Sequence, residues 1–456
     1  MHRLKITNTI VKIYKALLPS PLAIALFLTL FVALLAIAFG DFDSSQSLLP
    51  QLYGYWTGGL WNNGLLVFAV QMMLMLVLGH VLALSGPFEK LIAYFVKQCH
   101  NTASAAFLVT LTTLCVALFN WGLGLIFGAI LSRKVAEHAL RNQIKINYPL
   151  IGAAGYSGLM VWHGGFSGSS LAKVAEEGHL KSLANQQLAA TLPSSIDFGQ
   201  TVFSTMNIAV SVVLVIVLSS FMYFLGKRVP TMPVKIKVRY QQETIPTIEG
   251  AERVDHAKAI GLILGFLILL GIGYTMATDG VLSFFNPNNI NLLLLGLGFL
   301  FHRSIYSFSQ AVGEAIEGAA GILIQFPLYF GIMGIMKDAG LASQLSQFFV
   351  SISNEVTYPI FTFISAGIVN VFVPSGGGQW AIQGPIIIEA ANALNVSLPK
   401  SILAMAYGDQ LTNMLQPFWA LPLLGITGLK AKQILPYTLL LMLVGTVIFI
   451  SVLLLF

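Results

Sequence analysis

Long apolar runs alternate with short polar segments along most of the chain. A membrane-spanning helix needs about 20 apolar residues, and on this criterion the pattern predicts about nine transmembrane helices. They lie near residues 21–39, 64–84, 147–165, 201–225, 257–277, 287–302, 317–337, 401–424 and 434–456. The pattern therefore predicts an all-α polytopic membrane protein.

Two further apolar stretches, 104–139 and 356–394, are too long for one crossing and too short for two crossings with a connection. Each is interrupted near its middle, by Asn120-Trp-Gly-Leu-Gly and by Val373-Pro-Ser-Gly-Gly-Gly. Pro lacks a backbone N–H and Gly has much conformational freedom to lose, so both residue types interrupt helices. Two re-entrant hairpins are predicted.

Composition agrees with a membrane location. Of the 456 residues 56% are hydrophobic and 9% are charged, whereas soluble domains have about 25% charged residues. The net charge of +6 comes from basic residues in short segments between the apolar runs. The positive-inside rule explains that placement, so no nucleic-acid binding is expected. Cys99 and Cys115 lack metal-ligand spacing, and neither a metal site nor another cofactor is predicted.

Charge placement also predicts the topology. Residues 1–20 mix lysines with apolar residues, which suits a cytoplasmic interfacial helix and a cytoplasmic N-terminus. Both ends of the stretch 104–139 are basic and should be cytoplasmic, while Asp338, Glu355 and Lys400 flank the second stretch on the outside. The two hairpins therefore enter from opposite faces.

The two halves of the chain share landmarks at a nearly constant separation. Gln71 recurs as Gln325, Asn120 as Asn370, Pro149 as Pro399 and Tyr156 as Tyr407. We predict a first transmembrane repeat at 21–225, a cytoplasmic linker at 226–256, and a linking helix with the second repeat at 257–456. The additional span near 257–277 would invert the second repeat, an architecture of secondary transporters.

Four polar breaks lie at membrane depth, at residues 120–124, 162–170, 374–380 and 410–417. The first and third are the hairpin tips, and the other two interrupt predicted helices, giving two broken helices. Non-helical backbone at this depth survives where protein buries it or where it lines a cavity. Helix N-termini that stop there attract a carboxylate. No Arg or Lys occurs at the breaks, which suits a small monoanion.

The expected substrate-binding residues are the small and polar residues of these breaks and their flanks. They are Asn120, Gly122, Gly124, His163, Asn370, Ser375, Gly376, Gly377, Gly378, Gln379, Thr412 and Asn413. Close helix packing is the alternative for the glycines, and it explains Gly122 and Gly124 about as well as a site does.

Few ionisable residues lie within the spans, and each is a functional hypothesis. Asp409, next to the fourth break, is the first choice for ion coupling, with a helix-capping role as the alternative. His163 adjoins the second break. A structural role is favoured for His80 and an outer-interface position for Glu389.

Aromatic residues are the remaining feature of the breaks. Four tryptophans either wall an apolar pocket or, as is usual in membranes, anchor the interfaces. They are Trp121, Trp162, Trp380 and Trp419.

Three segments carry a family resemblance: NWGLGLIFGA at 120–129, VPSGGGQWAIQGP at 373–385 and AYGDQLTNMLQPFWALP at 406–422. They closely resemble the short-chain fatty acid transporter family, as does PLAIALFLTL at 21–30. That family is similar to the wider ion transporter superfamily, whose members have inverted repeats, two hairpins and two broken helices.

The resemblance implies uptake of small monocarboxylates such as butyrate or acetoacetate across the cell (inner) membrane, coupled to Na⁺ or H⁺. It also implies alternating access by an elevator-like or rocking movement, and it favours a homodimer. Superfamily relatives carry Ser-Asn-Thr motifs at the hairpin tips. This chain has Asn-Trp-Gly-Leu-Gly and Pro-Ser-Gly-Gly-Gly instead, which argues against sodium coordination by that pattern.

Rival functions give different expectations. An uncoupled anion channel or exporter of small carboxylates would use similar breaks without a coupled ion flux. An enzyme would need a nucleophile with a base, or a metal cluster, and the chain has no HExxH and no GxSxG with a plausible His partner. A scaffold or receptor would give no reason for paired breaks.

Overall fold

The structure is a computed structural model that describes residues 19–184, 186–234, 236, 250–280 and 286–456. The expected interfacial helix at 1–20 lies outside these residues apart from its last two, and part of the linker at 226–256 lies outside them as well. The described residues are helical, and their only β-type pairing is an isolated bridge between Ile146 and Met232.

The described α-helices of the first half begin near residue 21 and end before the linker. They are α1 Pro21–Phe39, α2 Leu48–Leu60, α3 Asn63–Ala83, α4 Gly86–Val96, α5 Thr102–Phe119, α6 Trp121–Arg141, α7 Tyr148–Tyr156, α8 Ser169–Ala175, α9 His179–Ser182, α10 Gln186–Ala189 and α11 Thr205–Gly226. Two 3₁₀ turns follow α7, at Ser157–Met160 and Trp162–Gly164.

The first described helix of the second half lies inside the predicted linker at 226–256, and the others follow the linker. They are α12 Glu252–His256, α13 Lys258–Asp279, α14 Pro287–His302, α15 Ile305–Ala315, α16 Ala320–Asp338, α17 Leu341–Ser351, α18 Tyr358–Phe372, α19 Gly376–Ala393, α20 Leu398–Thr412, α21 Pro417–Thr427 and α22 Ala431–Leu455. Short 3₁₀ turns lie at Ile316–Ala319 and Asn413–Leu415.

Seven helices in the described residues are long and apolar enough to cross a membrane, fewer than the nine predicted. The segments 147–165 and 401–424 are divided into short helices at their polar breaks, and α14 has only 16 residues. Conversely α5, the first leg of the predicted first hairpin, is itself a candidate span of 18 residues. It reaches that length because Asn120 alone forms the connection to α6.

The pattern also missed α2, which follows the first span where a loop was expected. Its glycines allow it to lie directly against α16: a Cβ added to Gly59 would be 2.3 Å from the carbonyl oxygen of Phe330. Small residues permit such close approach between membrane helices. The result is a continuous apolar segment from Leu48 to Ala83.

The same order of elements occurs in both halves. Each half has a long apolar segment, an 11-residue helix (α4 or α17), two helices joined at a short break that contains or closely follows an Asn, a helix interrupted by a 3₁₀ turn and a long last helix. The opposite orientation of the two halves, and the re-entrant path of the hairpins, stay predictions.

Burial identifies the centre of the molecule. In α20 the eleven consecutive residues Ser401–Leu411 are all buried, so this helix is surrounded by protein on every side. By contrast only 17% of the spanning windows of α1 and of α13 is buried, and their exposed side chains are largely apolar, as lipid contact requires. The broken helices and their hairpin neighbours therefore form the core.

Candidate functional site

The tip of the second hairpin is a helix N-terminus at the core. α18 ends at Phe372, and α19 begins at Gly376 after an extended Ser375. The Ser375 hydroxyl accepts a hydrogen bond from the N–H of Gly378, at 3.2 Å, so one first-turn donor is satisfied locally. The N–H groups of Gly376 and Gly377 belong to the same turn and have no intrahelical acceptor.

Asn370 fastens this hairpin to the break after α20. Its side-chain Nδ2 lies 2.7 Å from the carbonyl of Asp409, 3.0 Å from Oγ1 of Thr412 and 2.8 Å from Oδ1 of Asn413. The side-chain amide of Gln416 in turn donates to the carbonyl of Asn370. The conformations of the second hairpin and the second broken helix are therefore linked.

The carbonyl groups released by the break after α20 have side-chain partners. The Tyr156 hydroxyl, from the first half, lies 2.8 Å from the carbonyl of Asn413 and 3.1 Å from that of Gln416. The hydroxyl of Thr438 donates to the carbonyl of Met414 at 2.6 Å. These bonds satisfy a non-helical backbone inside the membrane, as the absence of water there demands.

The break after α7 faces the one after α20. The N–H of His163 donates to Oε1 of Gln410 at 2.9 Å, and His163 Nδ1 lies 3.4 Å from Oδ2 of Asp409. His163 and Asp409 are 0% and 1% exposed. Two ionisable groups from different halves of the chain are thus buried in contact.

The two hairpin tips lie against the two broken helices, and the four breaks together form one cluster. A Cβ on Gly376 would lie 2.9 Å from both the Trp162 and His163 rings, so the second tip rests against the first broken helix. At the first tip, the N–H of Trp121 donates to the hydroxyl of Ser167 at 3.0 Å. The Trp121 ring centroid lies 5.9 Å from that of Trp162 and 5.0 Å from that of Trp419. All four breaks therefore meet.

Several buried polar atoms in this cluster have no hydrogen-bond partner in the described part of the chain. The donors are Nε1 of Trp162, Nε1 of Trp419 and Nδ2 of Asn413, and the acceptors are Oδ1 of Asn370 and Oε1 of Gln416. Buried polar groups are normally paired because leaving one unpaired costs about 1–3 kcal/mol. These uncharged groups lie beside the buried His163 Nδ1 and Asp409 Oδ2, which also have no hydrogen-bond partner in the described residues.

The tryptophans do not anchor the interfaces. Trp121, Trp162, Trp380 and Trp419 are 8%, 3%, 1% and 4% exposed. Trp380 donates its indole N–H to Nε2 of His179 at 3.0 Å, while the other three surround the meeting point of the breaks. The interface alternative is therefore wrong for all four residues.

Not every expected site residue faces a ligand-accessible space. Gly122 and Gly124 are contacted by the protein itself, because an added Cβ would lie 2.2 Å from Sδ of Met75 and 2.6 Å from Cβ of Ala117. Asn120 caps α6 by accepting from the N–H of Leu123. These contacts fit the packing alternative for the two glycines.

The second hairpin differs from the first in this respect. An added Cβ on Gly377 would meet nothing within 4 Å, so this backbone is open. Gln379 is fully buried below the tip, where its amide donates to the carbonyl of Ala366 and to Gln383. Thr412 donates to the carbonyl of Gly367 at 2.9 Å. Gln379 and Thr412 hold the legs and the break together.

Sequence reasoning named the breaks and offered the tryptophans as possible pocket walls, but it did not include the following residues among the expected binding residues. Trp162 and Trp419 supply unpartnered donors, Gln410 and Gln416 hold the backbone of the breaks, and Tyr156 joins the halves. Their positions within or beside the polar breaks were the available signal. In the described residues no group of three or more His, Cys, Asp or Glu could hold a metal ion.

A cavity of about 1000 Å³ opens on one side of the cluster. It is lined by Ile130 and Arg133 of α6, by Tyr148 of α7 and by Thr427 of α21. Since α21 runs from the break to Thr427 over 11 residues, the cavity lies about 15 Å from the cluster. Its lining carries both basic and acidic side chains, and Arg133 and Lys134 place it on the side predicted to be cytoplasmic.

Comparison with known proteins adds an independent finding. A family model described as "Short chain fatty acid transporter" matches residues 3–456. A protein of Escherichia coli (strain K12) with the provisional name short-chain fatty acid transporter is 35% identical over 451 residues, covering 96% of each chain. A protein of Haemophilus influenzae (strain ATCC 51907 / DSM 11121 / KW20 / Rd) with the same provisional name is 35% identical over 429 residues, covering 92% of each chain.

Among solved structures, the YdaH transporter of Alcanivorax borkumensis aligns with 94% of this chain and 97% of its own, at 14% identity and a TM-score of 0.44. That likeness is too low to carry an argument about site or mechanism.

Proposed function

The chain belongs to the short-chain fatty acid transporter family, and from this premise we propose that it takes up short-chain monocarboxylates such as butyrate or acetoacetate by cation-coupled alternating access. Family membership makes it a multi-pass membrane transporter and argues against the enzyme alternative. The specific substrates, the coupling and the direction are the proposal.

The observation that carries the substrate class is the set of uncharged donors at the meeting point of the breaks. Trp162 Nε1, Trp419 Nε1 and Asn413 Nδ2 are buried and unpartnered, and no Lys or Arg occurs within the four breaks. Neutral donors and the N-terminus of α19 can hold one negative charge. A dicarboxylate would bring a second charge without a cationic partner.

Aromatic rings suit the other end of such a substrate. The Phe68 ring centroid lies 6.1 Å from those of both Trp121 and Trp419, and 6.2 Å from that of Phe326. An acyl chain of a few carbons gains about 0.8 kcal/mol for each CH₂ buried against such a surface. The aromatic wall and the polar breaks together match a small amphipathic anion.

The cavity supports alternating access. It lies on the side of the cluster predicted to be cytoplasmic, while α8 packs against α19 and α20 beside the second hairpin tip. This arrangement suits an inward-facing state with Asp409 as the ion-coupling residue. We further propose an inner-membrane location with a cytoplasmic N-terminus, opposite insertion of the two hairpins, and a homodimer.

The test is substrate exchange in liposomes containing the purified protein. Labelled butyrate should enter faster when the liposomes are preloaded with unlabelled butyrate, and external acetoacetate should compete while succinate should not. Protein-free liposomes correct for passive entry of the undissociated acid. Absence of protein-dependent exchange, or equal competition by succinate, would refute the proposal.

A further inference from the structure

His163 and Asp409 form an unusual contact between two buried ionisable side chains. By contrast, the salt bridges between Arg133 and Glu137 and between Lys173 and Glu176 join residues four and three apart in sequence. The pair of His163 and Asp409 is fully buried and joins the two broken helices. Buried ionisable groups inside a membrane are costly and therefore functional by default.

The hydrogen bonds of His163 indicate which ring nitrogen carries the proton when the imidazole is neutral. The backbone N–H of Ser170 donates to Nε2 at 3.2 Å, so Nε2 is an acceptor and the imidazole proton lies on Nδ1, facing Asp409. The Ser170 hydroxyl is 2.9 Å from the same Nε2 and can accept from it after protonation. A proton on Nε2 would have to displace the Ser170 N–H, so the Asp409 carboxylate is the position that takes a second proton without losing this bond.

The groups around the pair are uncharged. His163 N–H contacts Gln410, Asp409 contributes its carbonyl to Asn370, and the neighbouring Tyr407 hydroxyl donates to Asn207. From α19 Gly376 lies against the His163 ring, and from α8 Ser170 lies beside it. No Lys or Arg of the described residues forms an ion pair with either group.

The imidazole beside Asp409 favours a proton over a metal cation, because an Nδ1–H that faces Oδ2 at 3.4 Å would repel a metal ion placed there. The carbonyls of Asn413, Met414 and Gln416 already accept hydrogen bonds from side chains, whereas Oδ1 of Asn370 and Oε1 of Gln416 have no partner in the described residues, so sodium dependence is measured in the test. A neutral His163 with an ionised Asp409 leaves one uncompensated negative charge in a low-dielectric core, which is expensive. One proton removes that charge.

We propose that the pair of His163 and Asp409 binds the proton that is transported with each carboxylate, which rests on the proposed function. The empty core carries the single charge of Asp409. The loaded core carries a neutralised pair and one carboxylate, which is the same total. One H⁺ and one RCOO⁻ bind on one side and leave on the other, so no net charge crosses. The Gly376 contact connects the protonation state to the second hairpin tip.

The test measures protons taken up when purified protein binds butyrate at about pH 7, where butyrate itself is ionised. Calorimetry in two buffers of different ionisation enthalpy gives this number without passive diffusion through lipid. We expect about one proton per butyrate in the wild type, an affinity that falls about tenfold per pH unit at alkaline pH, and no difference between NaCl and KCl.

Variants separate the roles. Asp409→Asn should bind butyrate with no proton uptake and with an affinity that does not depend on pH. His163→Gln should also lower the number of protons taken up per butyrate, and Asp409→Glu should restore the wild-type number. Glu389→Gln, at an exposed carboxyl of α19, and His100→Gln, at an exposed imidazole, are the matched controls and should keep the wild-type proton count.

The outcomes separate this inference from the proposed function. Butyrate exchange in liposomes with no proton uptake on binding, or with a sodium requirement, would overturn the proton site alone. Unchanged proton uptake in folded Asp409→Asn protein would also overturn it. Absence of both binding and exchange in the wild type would refute the transport proposal. The wild-type measurements remain decisive if a variant fails to fold.

Discussion

The two hairpin tips have the same landmark residue and use it differently. Asn120 alone connects α5 to α6, and its side chain caps its own second leg by accepting from Leu123. Asn370 lies one turn before the corresponding break, and its side chain reaches three acceptors on the second broken helix. The Asn side chain of the first tip bonds within its own hairpin, whereas that of the second tip bonds to the second broken helix.

The glycines show the same contrast. The space beside Gly122 and Gly124 of the first tip is occupied by Met75 and by the opposite leg, while Gly377 of the second tip has open space around it. Equivalent positions in a repeat therefore do not imply equivalent contacts. The comparison suggests that the first hairpin supports the site and the second hairpin responds to the ligand.

Replacing Asn370 or Asn120, one at a time, should give the largest difference in butyrate exchange between the two hairpins. Asn370→Ala leaves buried acceptors in the second broken helix without a donor, at about 1–3 kcal/mol for each unsatisfied group, and should abolish butyrate exchange. Asn120→Ala removes only a helix cap, worth about 1 kcal/mol, and should retain exchange. Thermal unfolding in detergent and liposome exchange measure both. Equal losses in the two variants would contradict the comparison.

Alanine at the second tip should distinguish a closed from an open glycine. Gly376→Ala places a Cβ 2.9 Å from the rings of Trp162 and His163, so the maximal exchange rate should fall strongly. Gly377→Ala meets no protein atom and should fold normally but bind butyrate more weakly, because the methyl group narrows the approach to the backbone. An unchanged KM in Gly377→Ala would place the carboxylate elsewhere.

The matching change in the first tip should act through packing alone. In Gly124→Ala the new Cβ would lie 2.7 Å from the backbone of Ala117, so overpacking should lower stability by about 1–3 kcal/mol. The protein that does fold should keep its KM for butyrate. A raised KM with normal stability would move Gly124 back into the binding site.

Replacing Tyr156 or Tyr407, which occupy equivalent positions in the two halves, should have the smallest effect on stability and exchange. Tyr156→Phe removes the donor to the carbonyls of Asn413 and Gln416 and should cost about 1 kcal/mol of stability. Tyr407→Phe removes a single bond to Asn207 and should cost no more. Exchange should slow more in Tyr156→Phe, since only that hydroxyl holds a break. The reverse order would contradict this assignment.

Much of the architecture was predictable because the bilayer imposes strong rules. The length of the apolar runs located most long helices. Clusters of Gly, Pro and polar residues within those runs located the breaks. Fewer continuous long helices are present in the described residues than predicted spans, because 401–424 is divided into α20 and α21 at its polar break and α14 has only 16 residues. Residue type alone could not separate the packed Gly124 from the open Gly377, because that difference depends on the facing helix.

The central claim, that the carboxylate binds against the open backbone of the second tip, is tested most directly by chemical protection. Gly377→Cys in a background lacking Cys99 and Cys115 is labelled by a small thiol reagent with and without butyrate. Gly54→Cys, at an exposed glycine with equal space around it, is the control. The account predicts that butyrate slows labelling at position 377 and leaves position 54 unaffected. Equal labelling at position 377 with and without butyrate, in protein that still exchanges butyrate, would contradict it.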